Sequence, residues 1–434
     1  MHKCGMYAWG GPGTVRLIQT KYHQPQIDKE SFLKIYSQPY LSRAKQLFGV
    51  TDVWATYSWG FSDEVEEEDY AFIRASLPTF QDLGLRTHAY VQGLNLVTAE
   101  FRDEDVFCRD QWDRLLPYSK GRSLTCPNNP RAREIILNRV TAACTESFDG
   151  VFIDNMLFGL PPLSVAYNAT PFFGCACSYC QDLYADQYGS PLPLSDLTEK
   201  TMATYLQFRC NSVTSLVQEA SSIARQHNKQ FGINLYDPVL HTPELYFGYQ
   251  LAAISPSLSY FLFENNLHPA VYKNGNKHLV KLLNRYKKDT FVVSYKYGIG
   301  AEPQFSQKDI NILFSEANKL RYFPCLKSTE FTTDGIWHAL RLTKLKQASR
   351  VSLPKQELDM PSKQPVRANW FKRSAARFLQ RYTAVILTIL FEQRLLFAFL
   401  LWSGLYLSQL KSPRNYSLVW LKSRHDPEQS GNSD

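Results

Sequence analysis

Eight short apolar runs recur along the first 330 residues, most of them separated by helical patterns, and this alternation limits the fold more than any other feature. The runs cover residues 4–9, 50–59, 85–92, 150–154, 231–236, 260–264, 290–296 and 322–327. Apolar residues at helical spacing fill 31–47, 67–83, 131–147, 197–226 and 306–320. Pro130 stands just ahead of one of these stretches, where its missing N–H costs a helix nothing. Ser306 or the polar residues after it can cap another. Strands that alternate with helices pair in parallel through right-handed crossovers. Eight such units predict a (β/α)8 TIM barrel in the α/β class. A doubly wound open sheet is the alternative. The chain contains neither G-x-G-x-x-G nor G-x-x-x-x-G-K-[ST], which weighs against a nucleotide-binding version of that sheet.

The pattern stops near residue 345, so the barrel is expected over 1–345, a polar linker over 346–369, a basic and hydrophobic helical extension over 370–425 and a disordered tail over 426–434. Within the extension, apolar stretches at 383–391 and 395–407 are split by Glu392 and Arg394. A bilayer span needs roughly 20 apolar residues and pays heavily for central charges. The expectation is therefore a helix or hairpin lying on a membrane surface, with a helix packed on the barrel as the alternative. The net charge of +8 comes largely from residues after 340. No basic stripe with interleaved aromatics crosses the main body, so no nucleic acid partner is expected. The first residues carry no apolar leader and no cleavage site, which predicts a cytoplasmic protein with reduced thiols. Oligomeric state is open.

Clustered cysteines in that setting favour a metal over a disulfide. Cys175, Cys177 and Cys180 form a C-x-C-x-x-C loop after the fourth run. A structural zinc site needs a fourth thiolate. Cys126, which leads into the helix before that run, is the first candidate and Cys108 the second. Cys4, Cys144, Cys210 and Cys325 sit in strand or helix patterns and read as small core residues. Unliganded thiols in a loop are the alternative for the cluster.

A cysteine before a short Pro-x-x-Arg-Glu helix start, a strand ending Ile153-Asp154-Asn155, and then C-x-C-x-x-C resembles the family-42 β-galactosidases. The arrangement is similar, more closely still, to the glycosyl-hydrolase-like barrel proteins of bacteria. The resemblance covers about residues 85–190 and implies a structural Zn2+ on Cys126, Cys175, Cys177 and Cys180. It also implies a carbohydrate substrate or ligand. The chain departs from family 42 where that family has its acid/base Glu, because Met156 follows Asn155 here. Tyr295-Lys296-Tyr297 ends the seventh run without a carboxylate, so that family's catalytic pair does not carry over.

Glycoside hydrolysis uses two carboxyls that flank the scissile bond, and barrel strand ends converge on one mouth. Asp154, Asp237, Glu264 and Glu330 are available there. By analogy with barrel glycosidases of the α-galactosidase and α-fucosidase kind, Asp154 is expected as nucleophile and Glu264 as acid/base. Trp9, His88, Tyr90, Asn155, Asn234, Tyr236 and Lys296 are expected to line the substrate site, and Trp59 to offer a stacking face. Each has a plainer alternative as a loop cap or core residue. Three functions are weighed: a glycoside hydrolase, a catalytically silent protein that binds glycan or assists polysaccharide metabolism or export, and a metal-dependent hydrolase of another bond. The last is disfavoured because three or four Cys ligands leave no open position for water.

Overall fold

The computed structural model describes residues 3–22, 29–119, 121–158, 174–194, 199–236, 247–265, 285–294 and 307–328, with the isolated positions 244, 277, 280 and 283. Its strands, in chain order, are β1 Gly5–Ala8, β2 Asp52–Ser58, β3 Arg86–Gln92, β4 Asn95–Val97, β5 Pro117–Ser119, β6 Arg122–Leu124, β7 Gly150–Asp154, β8 Gln230–Tyr236, β9 Phe261–Asn265, β10 Thr290–Ser294 and β11 Phe323–Lys327. Eight of them close a barrel in the order β1-β2-β3-β7-β8-β9-β10-β11. Every neighbouring pair runs parallel, and β11 returns to β1. These are the eight apolar runs of the sequence.

Alternation along each strand sorts side chains between two layers. On β7, Val151 and Ile153 join the layer under the helices, whereas Phe152 faces the barrel interior. On β9, Phe261 and Phe263 face the helices and Leu262 faces inward. Interior space is filled by Tyr7, Trp54, Tyr90, Phe152, Tyr260 and Phe291, an aromatic core packed mainly edge to face. The same parity turns Trp9, Tyr90, Asp154, Tyr236, Glu264 and Lys327 inward at the C-terminal ends of their strands.

Several helices differ from expectation. The single helix expected over 31–47 is broken into Lys29–Leu33, a 3-10 turn at Lys34–Tyr36, and Gln38–Phe48. Pro39 is the cause: it cannot donate to a preceding turn but suits a first one, and Gly49 ends the last segment at φ 66°. Helices Pro12–Tyr22 and Ser178–Tyr188 were not anticipated from spacing. Nor was the antiparallel sheet β4-β6-β5, whose three-residue strands are too short for a periodic signal. Arg122 ties that sheet to the barrel rim. Its Nη2 donates to the carbonyls of Trp59 at 2.6 Å and Asn95 at 3.0 Å, and its Nε donates to Asn95 Oδ1 at 2.8 Å.

The expected linker, membrane-facing segment and tail lie outside the described residues. Among the described residues, no helix is long and apolar enough to cross a membrane.

Candidate functional site

Asp154 closes β7, and the chain must turn sharply after it. Asn155 adopts φ 56°, a left-handed conformation that Asn tolerates better than most residues. Three contacts hold it there. Its N–H donates to Asn234 Oδ1 at 2.8 Å, its Nδ2 to Asp154 Oδ2 at 2.7 Å, and its Oδ1 accepts from the Tyr118 hydroxyl at 2.8 Å. The backbone is pinned from β3, where Gly93 N–H donates to the Asp154 carbonyl at 2.8 Å. A Cβ on Gly93 would lie 2.6 Å from that same carbonyl, so only glycine fits this approach.

Asp154 is 6% exposed. Oδ2 also accepts from the Tyr90 hydroxyl, but Oδ1 is buried without a hydrogen-bond partner. Glu264, 8% exposed at the end of β9, acts on it as a second negative charge. Burial first, and the Glu264 charge next, push the Asp154 carboxyl up to about 7, outweighing the Tyr90 hydrogen bond. Tyr7, fully buried on β1, has a hydroxyl without a partner, and burial with the nearby Glu264 and Asp154 charges holds it well above the ordinary phenol range. Two carboxyls, phenols and an indole thus converge at the barrel mouth. Such a group can donate and accept a proton near neutrality.

Aromatic walls enclose this group. Trp9 meets Trp59 edge to face at 5.0 Å between ring centroids and Tyr90 at 6.3 Å. Tyr236 stacks on Phe247 at 3.9 Å, and its hydroxyl accepts from Asn234 Nδ2 at 3.2 Å. Lys327 Nζ lies 3.8 Å from the centre of the Trp9 ring.

Most of the residues expected at the mouth therefore come together there: Asp154, Glu264, Trp9, Trp59, Tyr90, Asn155, Asn234 and Tyr236. Asn155 and Asn234 hold the backbone and the Asp154 carboxylate in place, so they act as struts rather than as free ligand contacts. His88 is a correction. It faces the interior two residues before Tyr90, beside the first residue of β7, and so lies toward the barrel floor. Its ring stacks on Trp54 at 5.0 Å and its Nε2 stands 3.6 Å from Asp52 Oδ1, beyond ordinary hydrogen-bond distance. Lys296, Asp237 and Glu330 lie outside the described residues. Tyr7, Tyr118 and Lys327 were missed. The parity rule that selects Asp154 also selects Tyr7 and Lys327, whereas Tyr118 arrives from the small sheet and left no signal.

The cysteine cluster is built on the loops beside β7. Sγ atoms of Cys126, Cys175, Cys177 and Cys180 all lie within 4.8 Å of one another. Cys126 is 3.4 Å from Cys180 and 3.6 Å from Cys177. These spacings are too long for a disulfide and near the edge, about 3.8 Å, of a tetrahedron with Zn–S bonds of about 2.3 Å. Backbone N–H of Arg109 points at Cys175 Sγ and Asn128 Nδ2 at Cys180 Sγ, each at 3.4 Å, as suits sulfurs that carry negative charge. Burial opposes a Cys175 thiolate, but the neighbouring sulfurs prevail and hold Cys175 well below its ordinary value, whereas burial and its sulfur neighbours hold Cys180 well above it. The cluster thus favours a thiolate at some positions, and a cation would be needed for all four. The donor set fits a metal. Cys108 is buried beside Cys126 and Cys175 as a fifth sulfur outside the four. Cys4, Cys144, Cys210 and Cys325 are buried, as expected of core residues. Met156 is buried in the hydrophobic core.

No protein-family description matches the chain, and no curated protein matches it in sequence. Solved structures do share its architecture. The β-galactosidase of the Antarctic haloarchaeon Halorubrum lacusprofundi is 11% identical, over 81% of this chain and 58% of its own, with a TM-score of 0.54. The cold-adapted β-galactosidase of Rahnella sp. R3 is 11% identical, over 74% of this chain and 50% of its own, with a TM-score of 0.51. That of the psychrophile Marinomonas ef1 is 8% identical, over 79% and 58%, with a TM-score of 0.50. At these identities the likeness is one of fold alone: the chain shares an eight-stranded parallel α/β barrel with these enzymes. The chain matches little more than half the length of these enzymes.

Proposed function

We propose that this protein is an O-glycosyl hydrolase acting on a carbohydrate or polysaccharide at the C-terminal mouth of its barrel, with Asp154 and Glu264 as the carboxyl pair. The observation that carries this reading is the Asp154 carboxyl: buried, one oxygen without a partner, set against a second carboxylate and titrating at about 7. A group poised near neutrality is suited to proton transfer. That favours Asp154 as the acid, which protonates the leaving oxygen, and Glu264 as the opposing carboxylate. These roles are the reverse of the strand-four analogy, in which Asp154 would attack. Trp9, partly exposed at the mouth, would offer apolar surface to the sugar, whereas Trp59 is buried behind it and braces its ring. Zn2+ on Cys126, Cys175, Cys177 and Cys180 would be structural, since four thiolates leave no position for a substrate or water. It would brace the loops around β7 that position Asp154. Residues 370–425 would hold the barrel at a membrane surface, which co-sedimentation with vesicles of the full chain and of a chain ending at 369 tests directly.

The reading is tested by assaying the full chain on aryl glycosides and oligosaccharides beside Asp154→Asn and Glu264→Gln. Turnover should fall by roughly 10²–10⁴-fold in each variant. Glycan binding without turnover would replace the hydrolase with the second reading, a catalytically silent glycan-binding protein. One observation favours that alternative: Met156 stands where the family-42 pattern has its acid/base Glu, and a thioether moves no proton.

A further inference from the structure

Among the described residues, Lys327 is a buried cation at the mouth, and the residues around it are placed by different parts of the chain. It closes β11, and β11 pairs with β1 in the register Tyr7↔Lys327. Parity puts it two residues beyond Cys325, which faces the barrel interior, and so at the strand ends where Asp154 and Glu264 stand. Only 3% of the residue is exposed. Its Nζ lies 3.8 Å from the centre of the Trp9 ring. An ammonium taken out of water is costly unless negative charge faces it. The Trp9 face supplies part of that compensation, and the Lys327 charge acts on Asp154, favouring its ionised form.

We propose that Lys327 is a positioning residue of this site: seated on Trp9, its ammonium is the fixed counter-charge of the Asp154–Glu264 pair and sets the pH window in which that pair transfers a proton. The proposal rests on the hydrolase reading above. Around Asp154, the groups that bear on its ionisation come from every neighbouring element. Tyr90 on β3 donates to Oδ2, and Asn155 after β7 does the same. Tyr7 on β1 and Tyr236 on β8 interact with both carboxylates, and Glu264 on β9 opposes ionisation. Tyr118 on β5 is committed to Asn155. Arg122 on β6 spends its hydrogen bonds on Asn95 and the Trp59 carbonyl. The phenols are neutral at working pH, so among the described residues the Glu264 carboxylate and the Lys327 ammonium are the charges that act on Asp154 in opposite directions.

The sign follows. Without the ammonium, each carboxyl binds its proton more tightly, so both limbs of the pH–rate profile should move up by roughly one pH unit in Lys327→Met. Lys327→Arg, which keeps the charge, should return the profile to that of the wild type. A residue that merely fills space would lower the rate at every pH and leave the limbs where they are. Should Lys327→Met fail to fold, Lys327→Gln is read in the same way. In parallel, ¹³C NMR titration of the carboxyls in the labelled full-length protein reads Asp154 directly, whether or not sugars are turned over. An upward move of the Asp154 titration in Lys327→Met supports the counter-charge, and a titration identical to the wild type overturns it. If the titration moves while no glycoside is hydrolysed by any form, the counter-charge stands and the hydrolase reading is what fails.

Discussion

Asp52 and Asp154 are both buried aspartates in one barrel, at opposite ends of it and treated in opposite ways. Asp52 opens β2 at the floor. There it accepts from Thr51 Oγ1 at 2.7 Å, pairs with Arg86 Nη2 at 2.7 Å and has His88 beside it. Burial works against its ionisation, but His88, Thr51 and Arg86 prevail and hold its carboxyl below the ordinary value. Asp154 closes β7 at the mouth, where one oxygen has no partner, a second carboxylate faces it and its carboxyl is pushed up to about 7. A charge that serves the fold is paired on every side. A charge left partly unpaired in the interior makes the fold less stable, and the site gains a proton held near neutrality. In barrels of this kind chemistry gathers at the C-terminal ends of strands, and the other end serves stability.

The contrast can be broken most sharply at Asp154 itself. Asp154→Asn should remove hydrolysis by roughly 10²–10⁴-fold and yet stabilise the fold at alkaline pH. A carboxyl whose folded pKa lies above its unfolded value contributes most below the unfolded value, and that contribution is lost as pH rises through the folded one. Relative to wild type, the variant should gain on the order of 2–4 kcal/mol at pH 8 and little at pH 4 by urea denaturation. A loss of stability at pH 8 would contradict the contrast.

Stripping the cysteine cluster with a chelator, or Cys177→Ser, comes next. One zinc per chain should be present and then lost, and amide exchange should quicken at 94–97, 122–126 and 175–180 while the floor segments 52–54 and 86–88 stay protected. Metal-free wild-type protein on purification would end the clamp.

At the floor, Asp52→Asn should cost about 2–3 kcal/mol, discounted for the partly exposed Arg86, and leave the pH–rate profile in place. The depressed folded pKa means that this contribution is present above the unfolded pKa and disappears as pH falls through the folded one. A shifted profile would show that the two ends are coupled. The smallest effect belongs to Tyr90→Phe. Losing its hydrogen bond to Asp154 should raise the Asp154 titration by a fraction of a unit, about 1 kcal/mol or less. A downward move would mean that Tyr90 favours the protonated form.

Much of this was legible beforehand, and for a local reason. Parallel strands buried on both faces read as apolar runs, so all eight were visible in the residue pattern, and the convergence of strand ends on one mouth named Asp154, Glu264, Tyr236 and Trp9. His88 shows where that reasoning stops. It shares the parity of Tyr90, but its height in the barrel depends on where β3 begins relative to β7, which pairs His88 with Gly150. The three-residue strands of the small sheet gave no periodicity, so Tyr118 and Arg122 went unseen.

From sequence alone come the strand count, the residues at the strand ends and the cysteines able to hold a metal, because each depends on residue type and short-range spacing. Tertiary structure alone decided that Asn155 is a strut, that His88 belongs to the floor and that the Lys327 charge acts on Asp154. It also decided that burial and the Glu264 charge push the Asp154 carboxyl up to about 7. That property belongs to no local stretch: it arises from Tyr90, Asp154, Glu264 and Lys327, which lie far apart in the chain and are brought within electrostatic reach only when the barrel closes and water is excluded.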